Sequence, residues 1–152
     1  MATLGGLGRI GPAPGTLGSA AGTVFYALVM YRCERPLSFA ITLLLLIAGV
    51  FFCDEAEIRM NKSDPGCVIL DEFAVMPLVF MGLHWPNATW QMLLVLIAGF
   101  LLFRVFDILK PFGISRIQEL PGGLGVMADD IVAALVSCLL LHAVLAVGRL
   151  LF

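Results

Sequence analysis

Charge in this chain comes in clumps separated by long empty stretches. No acidic or basic side chain lies between Arg9 and Arg32, Arg35 and Asp54, Glu72 and Arg104, or Asp130 and Arg149. Apolar residues dominate each gap, as in the run Leu43–Phe52, LLLLIAGVFF. Across the 152 residues, 61% are hydrophobic and 13% charged, whereas soluble domains run at about 45–50% apolar and about 25% charged. One domain of this length cannot hide that much apolar surface in its core, so the excess faces lipid. The long uncharged runs read as helices, so the expected fold class is all-α. A polytopic membrane bundle of about five to six helices follows.

Residues 1–14 are rich in Gly and Pro and read as a flexible lead-in; residues 15–152 read as a single membrane-embedded domain. The lead-in has one charge and apolar residues broken by Pro12 and Pro14, unlike a cleavable signal. Gly15-Thr16-Leu17-Gly18-Ser19 opens a helix reaching about Tyr31, ended by Arg32, Glu34, Arg35 and Pro36. Ser38 is placed to cap a second helix, apolar through Cys53 and continued into water by Asp54–Arg59. Asp64-Pro65 is a start signal for a third, which sets Asp71 and Glu72 about two turns inside it, with Pro77 a kink. His84-Trp85-Pro86-Asn87 is an interfacial turn; a fourth helix runs from about Thr89 to Lys110, and a fifth starts near Met127.

The uncharged parts of these helices, about 16–18 residues, fall short of the ~20 that span a bilayer comfortably. Their ends snorkel, or some helices are half buried in protein. If Arg9 is inside and five helices cross, Arg9, Arg59, Lys62, Arg104, Lys110 and Arg116 are cytoplasmic, against Arg32, Arg35 and Arg149 outside. Every charged motif then lies on the cytoplasmic face.

Several function classes are excluded. Net charge is −2 with no basic run, so a nucleic-acid partner has no electrostatic footprint. The four cysteines show no metal-ligand spacing. Cys53 and Arg59 match the C-x5-R spacing of cysteine phosphatases, but Asp54, Glu55 and Glu57 between them would repel a phosphate. His142, in an apolar helix, is a hydrogen-bonded or interfacial residue rather than a base.

The densest stretch is 104–131, where seven of the twenty charged residues stand around a Gly122-Gly123-x-Gly125 bend. Arg104, Asp107 and Lys110 share one helix face. Asp107 suits a metal ligand, and Arg104 and Lys110 suit phosphate oxygens, although a plain Arg104–Asp107 pair fits equally. Asp71 and Glu72 are flanked by apolar side chains, which argues against a simple surface corner. Asp129 and Asp130, in the first turns of the fifth helix, fit dipole capping as well as ligation. Together, five carboxylates from three helices at one depth repel one another unless a cation joins them. Hard oxygen donors of this kind suit Mg²⁺, which binds along with substrate phosphate; Glu57 is a possible further ligand. The segment Gly15-Thr16-Leu17-Gly18-Ser19, through Thr16, Gly18 and Ser19 above all, offers a phosphate seat at a helix start, although Gly and Ser also serve close helix packing. Two other classes compete: an ion-coupled carrier, which needs acids near mid-membrane, and a non-catalytic scaffold subunit.

Taken in order, Gly15–Ser19, Asp64…Asp71-Glu72-Phe73, Phe103-Arg104-x-x-Asp107-x-x-Lys110-Pro111 and Gly122-Gly123-x-Gly125-x-Met127-x-Asp129-Asp130 resemble the phosphatidylglycerophosphatase A family. The resemblance covers roughly residues 15–135, and its last two blocks are the specific ones. It implies a Mg²⁺-dependent phosphatase of the bacterial inner membrane, converting phosphatidylglycerophosphate in the bilayer to phosphatidylglycerol and phosphate. It also implies one helix surrounded by the others. Carried over by position, Asp71, Glu72, Asp107, Asp129 and Asp130 are the metal or catalytic carboxylates. Arg104 and Lys110, with Thr16–Ser19 and the Gly122-Gly123 bend, are the phosphate holders. The chain departs from the family pattern at Phe112-Gly113 and at Ala74–Pro77, positions that concern packing rather than the charged set.

Overall fold

The computed structural model describes residues 2–9, 12–62, 65–85, 88–109 and 122–151, with side chains through 148. After a 3₁₀ segment at Leu4–Arg9, the elements are α1 (Pro14–Phe25), extended by a π turn at Tyr26–Met30, α2 (Arg35–Met60), α3 (Leu70–Val79), α4 (Thr89–Leu109) and α5 (Gly123–Leu151). No strand occurs among the described residues, as the all-α reading requires.

Prolines set two of the starts. Pro14 opens α1 and Pro36 lies in the first turn of α2, where a missing N–H leaves no bond unmade. Pro36 therefore begins a helix rather than ending the one before. Ser38 is not a cap: its N–H already bonds to Glu34 O at 2.9 Å, and its carbonyl accepts from Thr42 Oγ1 at 2.8 Å. The third helix begins at Leu70, later than the Asp-Pro signal suggests; Asp64 itself lies outside the described residues. Asp71 and Glu72 are thus in its first turn, not two turns inside. α5 begins at Gly123, four residues early, so Asp129 and Asp130 stand in its second turn, beyond the reach of a capping role.

Contacts along the chain fix the helix directions. Gly15 meets Glu72, Gly123 meets Asp54, and Arg104 meets Ser19. One end of the bundle therefore gathers the starts of α1, α3 and α5 and the ends of α2 and α4. At the other end Arg35 bonds to His84 at 3.1 Å, and the Trp85 ring lies 5.7 Å from Tyr26 and 5.1 Å from Tyr31.

α3 is the helix the others surround, packing against α1, α2, α4 and α5. Its ten residues rise only about 15 Å, half the hydrocarbon thickness. Ala74, Val75, Met76 and Val79 are fully buried, the pattern of a helix apolar all round and enclosed by protein. α2, α4 and α5 differ: among the described residues these are the helices long and apolar enough to cross a membrane. They turn Leu44, Phe51, Leu94, Leu101, Leu139 and Val144 outward. A central helix shielded by protein needs no lipid-facing length of its own, so α3 runs between the two ends of the bundle though too short to span a bilayer alone.

α1 approaches α3 through small residues. A Cβ on Gly18 would stand 2.7 Å from Ile69 O, and one on Gly22 2.6 Å from Phe73 O and 2.8 Å from Met76 Cβ. This seam is close packing of the kind membrane helices use in place of the hydrophobic effect. Gly22→Ala should destabilise the fold by about 1–3 kcal/mol, as overpacking does, with backbone on one side unable to yield. Unfolding in mixed micelles of SDS and a mild detergent measures it; an unchanged midpoint would contradict the seam.

Candidate metal and phosphate site

Three helices bring acids to the end where α3 begins. Asp71, Glu72 and Asp130 each offer a carboxylate oxygen, and these lie within 4.8 Å of one another. Asp71 and Asp130 are 5% and 4% exposed, and Asp129 beside them is 3% exposed. Glu72 Oε2 is sealed from solvent with no hydrogen-bond partner among the described residues. Burial pushes the Glu72 carboxyl above the ordinary carboxylate range, and the neighbouring Asp107 adds to the rise while Arg104 opposes it. The donors are all oxygens, they come from two helices, and one of them lacks a partner. This set fits a hard divalent cation such as Mg²⁺.

Asp107 has a partner of its own. Its Oδ2 accepts from Arg104 Nη1 at 2.6 Å, and the two side chains are only 12% and 16% exposed. Nη1 also donates to Ser19 Oγ at 3.3 Å. Ser19, with no exposed surface, donates its own proton to Gly15 O at 2.8 Å. Arg104 Nε is buried without a partner among the described residues. Asp107 is thus paired with the arginine, outside the group formed by Asp71, Glu72 and Asp130.

The proposed phosphate seat divides. Gly18 lies in the seam against Ile69, and half-buried Thr16 follows Gly15 at the open start of α1. Gly15, which opens the segment, touches the site directly. A Cβ there would collide with Glu72 Oε1 and stand 3.4 Å from Arg104 Nη1. Lys110, Pro111, Arg116 and Glu119 lie outside the described residues.

Gly122 and Gly123 are engaged by α2. Gly122 has φ +67°, the left-handed region, and a Cβ on it would collide with Asp54 Oδ1. Gly123 donates its N–H to Asp54 Oδ1 at 3.2 Å, and a Cβ on it would strike the Val50 carbonyl. Asp54, read from sequence as solvated, therefore holds the start of α5 in place. Glu57, one turn on, does not join the Asp71, Glu72 and Asp130 group. Arg59 pairs with Glu55 at 2.6 Å, 76% exposed, so no phosphate cradle forms with buried Cys53.

Comparison with known proteins bears on this arrangement. The sequence profile of the family described as Phosphatidylglycerophosphatase A matches residues 1–145. A Haemophilus influenzae protein named Phosphatidylglycerophosphatase A is 36% identical over 140 residues, 91% of this chain and 83% of its own. An Escherichia coli protein of the same name is 35% identical over 130 residues, covering 85% of this chain and 72% of its own. A Bacteroides thetaiotaomicron protein, provisionally named a phosphatidylinositol-3-phosphatase, is 31% identical over 133 residues, with 85% and 81% covered. No solved structure matches the chain.

Proposed function

Because the chain belongs to the phosphatidylglycerophosphatase A family, we propose that it removes the terminal phosphate of phosphatidylglycerophosphate, leaving phosphatidylglycerol, with Mg²⁺ held by Asp71, Glu72 and Asp130. It is a phosphoric monoester hydrolase with membrane-spanning helices. The observation that carries the metal reading is the convergence of three carboxylates within 4.8 Å, one oxygen of Glu72 being buried and unpartnered.

The chemistry such a cation supplies is charge neutralisation on the phosphoryl oxygens and activation of water. The chain's own groups do the rest. Arg104 donates to the phosphoryl oxygens, beside backbone N–H groups of Gly15 and Thr16 at the start of α1. Asp129, buried and adjacent to Asp130 in the chain, is the carboxylate we assign to accept a proton from the attacking water. The P–O bond to glycerol breaks as the bond to the water oxygen forms, and a proton ends on the glycerol oxygen. The outward apolar faces of α2, α4 and α5 keep the protein, and its substrate's acyl chains, in the bilayer.

The site lies on the cytoplasmic face of the bacterial inner membrane in this reading. Arg9, Arg59, Lys62 and Arg104 stand toward its end of the bundle, against Arg32 and Arg35 at the other, which supports that orientation. A carrier would need its acids midway along the bundle, whereas these gather at one end beside an arginine. The relatives, moreover, are named as phosphatases rather than carriers or scaffolds.

Phosphate release from phosphatidylglycerophosphate in mixed micelles tests the assignment. Turnover should require Mg²⁺, stop with EDTA and fall about 10³-fold in Asp71→Asn, equivalent to several kcal/mol of lost charge stabilisation. Full turnover in EDTA would remove the metal. Faster release from phosphatidylinositol 3-phosphate would move the substrate while keeping the reaction class.

A further inference from the structure

The acids of the site do two different jobs, and the hydrogen-bond directions separate them. Asp107 Oδ2 lies 2.6 Å from Arg104 Nη1, three residues away on the same face of α4. The same nitrogen reaches Ser19 Oγ across the α1–α4 contact at 3.3 Å. Ser19 has one proton, and it goes to Gly15 O at 2.8 Å. Toward Arg104 the hydroxyl can therefore only accept, and it has no proton left for a phosphate oxygen. Both anchors grip Nη1, so the Nε edge of the guanidinium stays uncommitted, and Nε is buried with no partner among the described residues. That edge, Nε with Nη2, is the fork that matches two phosphate oxygens.

We infer that Asp107 and Ser19 are positioning residues that aim the Nε edge of Arg104 at the substrate phosphate, and that neither touches the cation. The site then has a cation-holding trio, Asp71, Glu72 and Asp130, and a separate guanidinium arm. Gly15 is where the two meet: a Cβ added there would run into Glu72 Oε1 and stand 3.4 Å from Arg104 Nη1. This inference rests on the phosphatase reading above, because the arm needs a phosphate to receive.

The test pairs two measurements on the full chain in detergent micelles. One is Mn²⁺ binding followed by electron paramagnetic resonance, which needs no turnover. The other is kcat and KM for phosphatidylglycerophosphate. Asp107→Asn should bind Mn²⁺ as the parent does while kcat/KM falls about 10–100-fold, the scale of losing an orienting partner. Asp130→Asn should lose Mn²⁺ binding. Ser19→Ala, which leaves Arg104 one anchor, should keep Mn²⁺ binding and lose about tenfold in kcat/KM. In an Arg104→Lys background, Asp107→Asn should add little further loss, since the fork it aims is already gone. Loss of Mn²⁺ binding in Asp107→Asn while the parent is active would overturn this inference alone, as would parental kcat/KM in both Asp107→Asn and Ser19→Ala. A parent that binds Mn²⁺ but releases no phosphate from the lipid would overturn the functional reading, and this inference with it.

Discussion

Glu72→Gln should give a protein that is inactive yet harder to unfold than its parent when no divalent cation is present. Activity falls because the trio loses one charge and one donor, and a loss on the order of 10³-fold follows from several kcal/mol of missing electrostatic stabilisation. Stability rises because the side chain is held where burial disfavours its charged form and Asp107 lies close by. The sign follows from linkage. A carboxyl whose folded-state value is raised above the unfolded one contributes stability at low pH, lost as pH climbs through the folded value. Cation-free parent should therefore lose thermal stability as pH rises above the ordinary carboxylate range, and Glu72→Gln should lose less. Adding Mg²⁺ should restore the parent and do little for the variant. Thermal melts at several pH values, with EDTA or with Mg²⁺, read all of this. A variant that melts below the parent in EDTA at neutral pH would show that Glu72 serves the fold rather than the ion.

Gly15→Ala should separate activity from folding in the opposite way to Gly22→Ala. The added methyl meets the far end of a Glu72 side chain and the tip of Arg104, both able to swing aside, instead of backbone. Folding should change little. The site should suffer, because swinging Glu72 away takes an oxygen out of the trio, and a displacement of about 1 Å costs on the order of 10²-fold in rate. Phosphate release and SDS unfolding midpoints, measured on the same preparations, distinguish the outcomes. A Gly15→Ala protein with parental turnover would mean that α1 does not shape the site.

The two glycines show why part of the molecule was legible from residues and part was not. The charged set stood out because carboxylates are expensive beside lipid, so Asp71, Glu72, Asp129 and Asp130 could be picked out without any geometry. The helical bundle followed from the length of the uncharged apolar runs between the charges. Partnerships across helices leave no such trace. Arg104 and Asp107 at a three-residue spacing fit a metal ligand beside a phosphate holder as well as an ion pair, and spacing alone does not reveal the 2.6 Å contact between them. Asp54 looked solvated because its partner, the Gly123 N–H, lies 69 residues away. Helix starts failed where an attractive local signal competed with tertiary contact. Asp64-Pro65 promised an N-cap, yet Ile69 donates its N–H to Ala2 O at 3.0 Å, and the helix waits until Leu70. At α5 the start moved the other way, because Asp54 supplies from α2 the acceptor that the local sequence lacks.

A buried central helix also has a consequence for biogenesis. With about 15 Å of rise and no face for lipid, α3 has no stable resting place of its own in a bilayer and must wait for α4 and α5 to close around it. Asp130, the last member of the trio to leave the ribosome, arrives with that closing helix. A nascent or truncated chain lacking α5 can therefore neither enclose α3 nor assemble the three carboxylates, and the hydrolase exists only once that helix has been made.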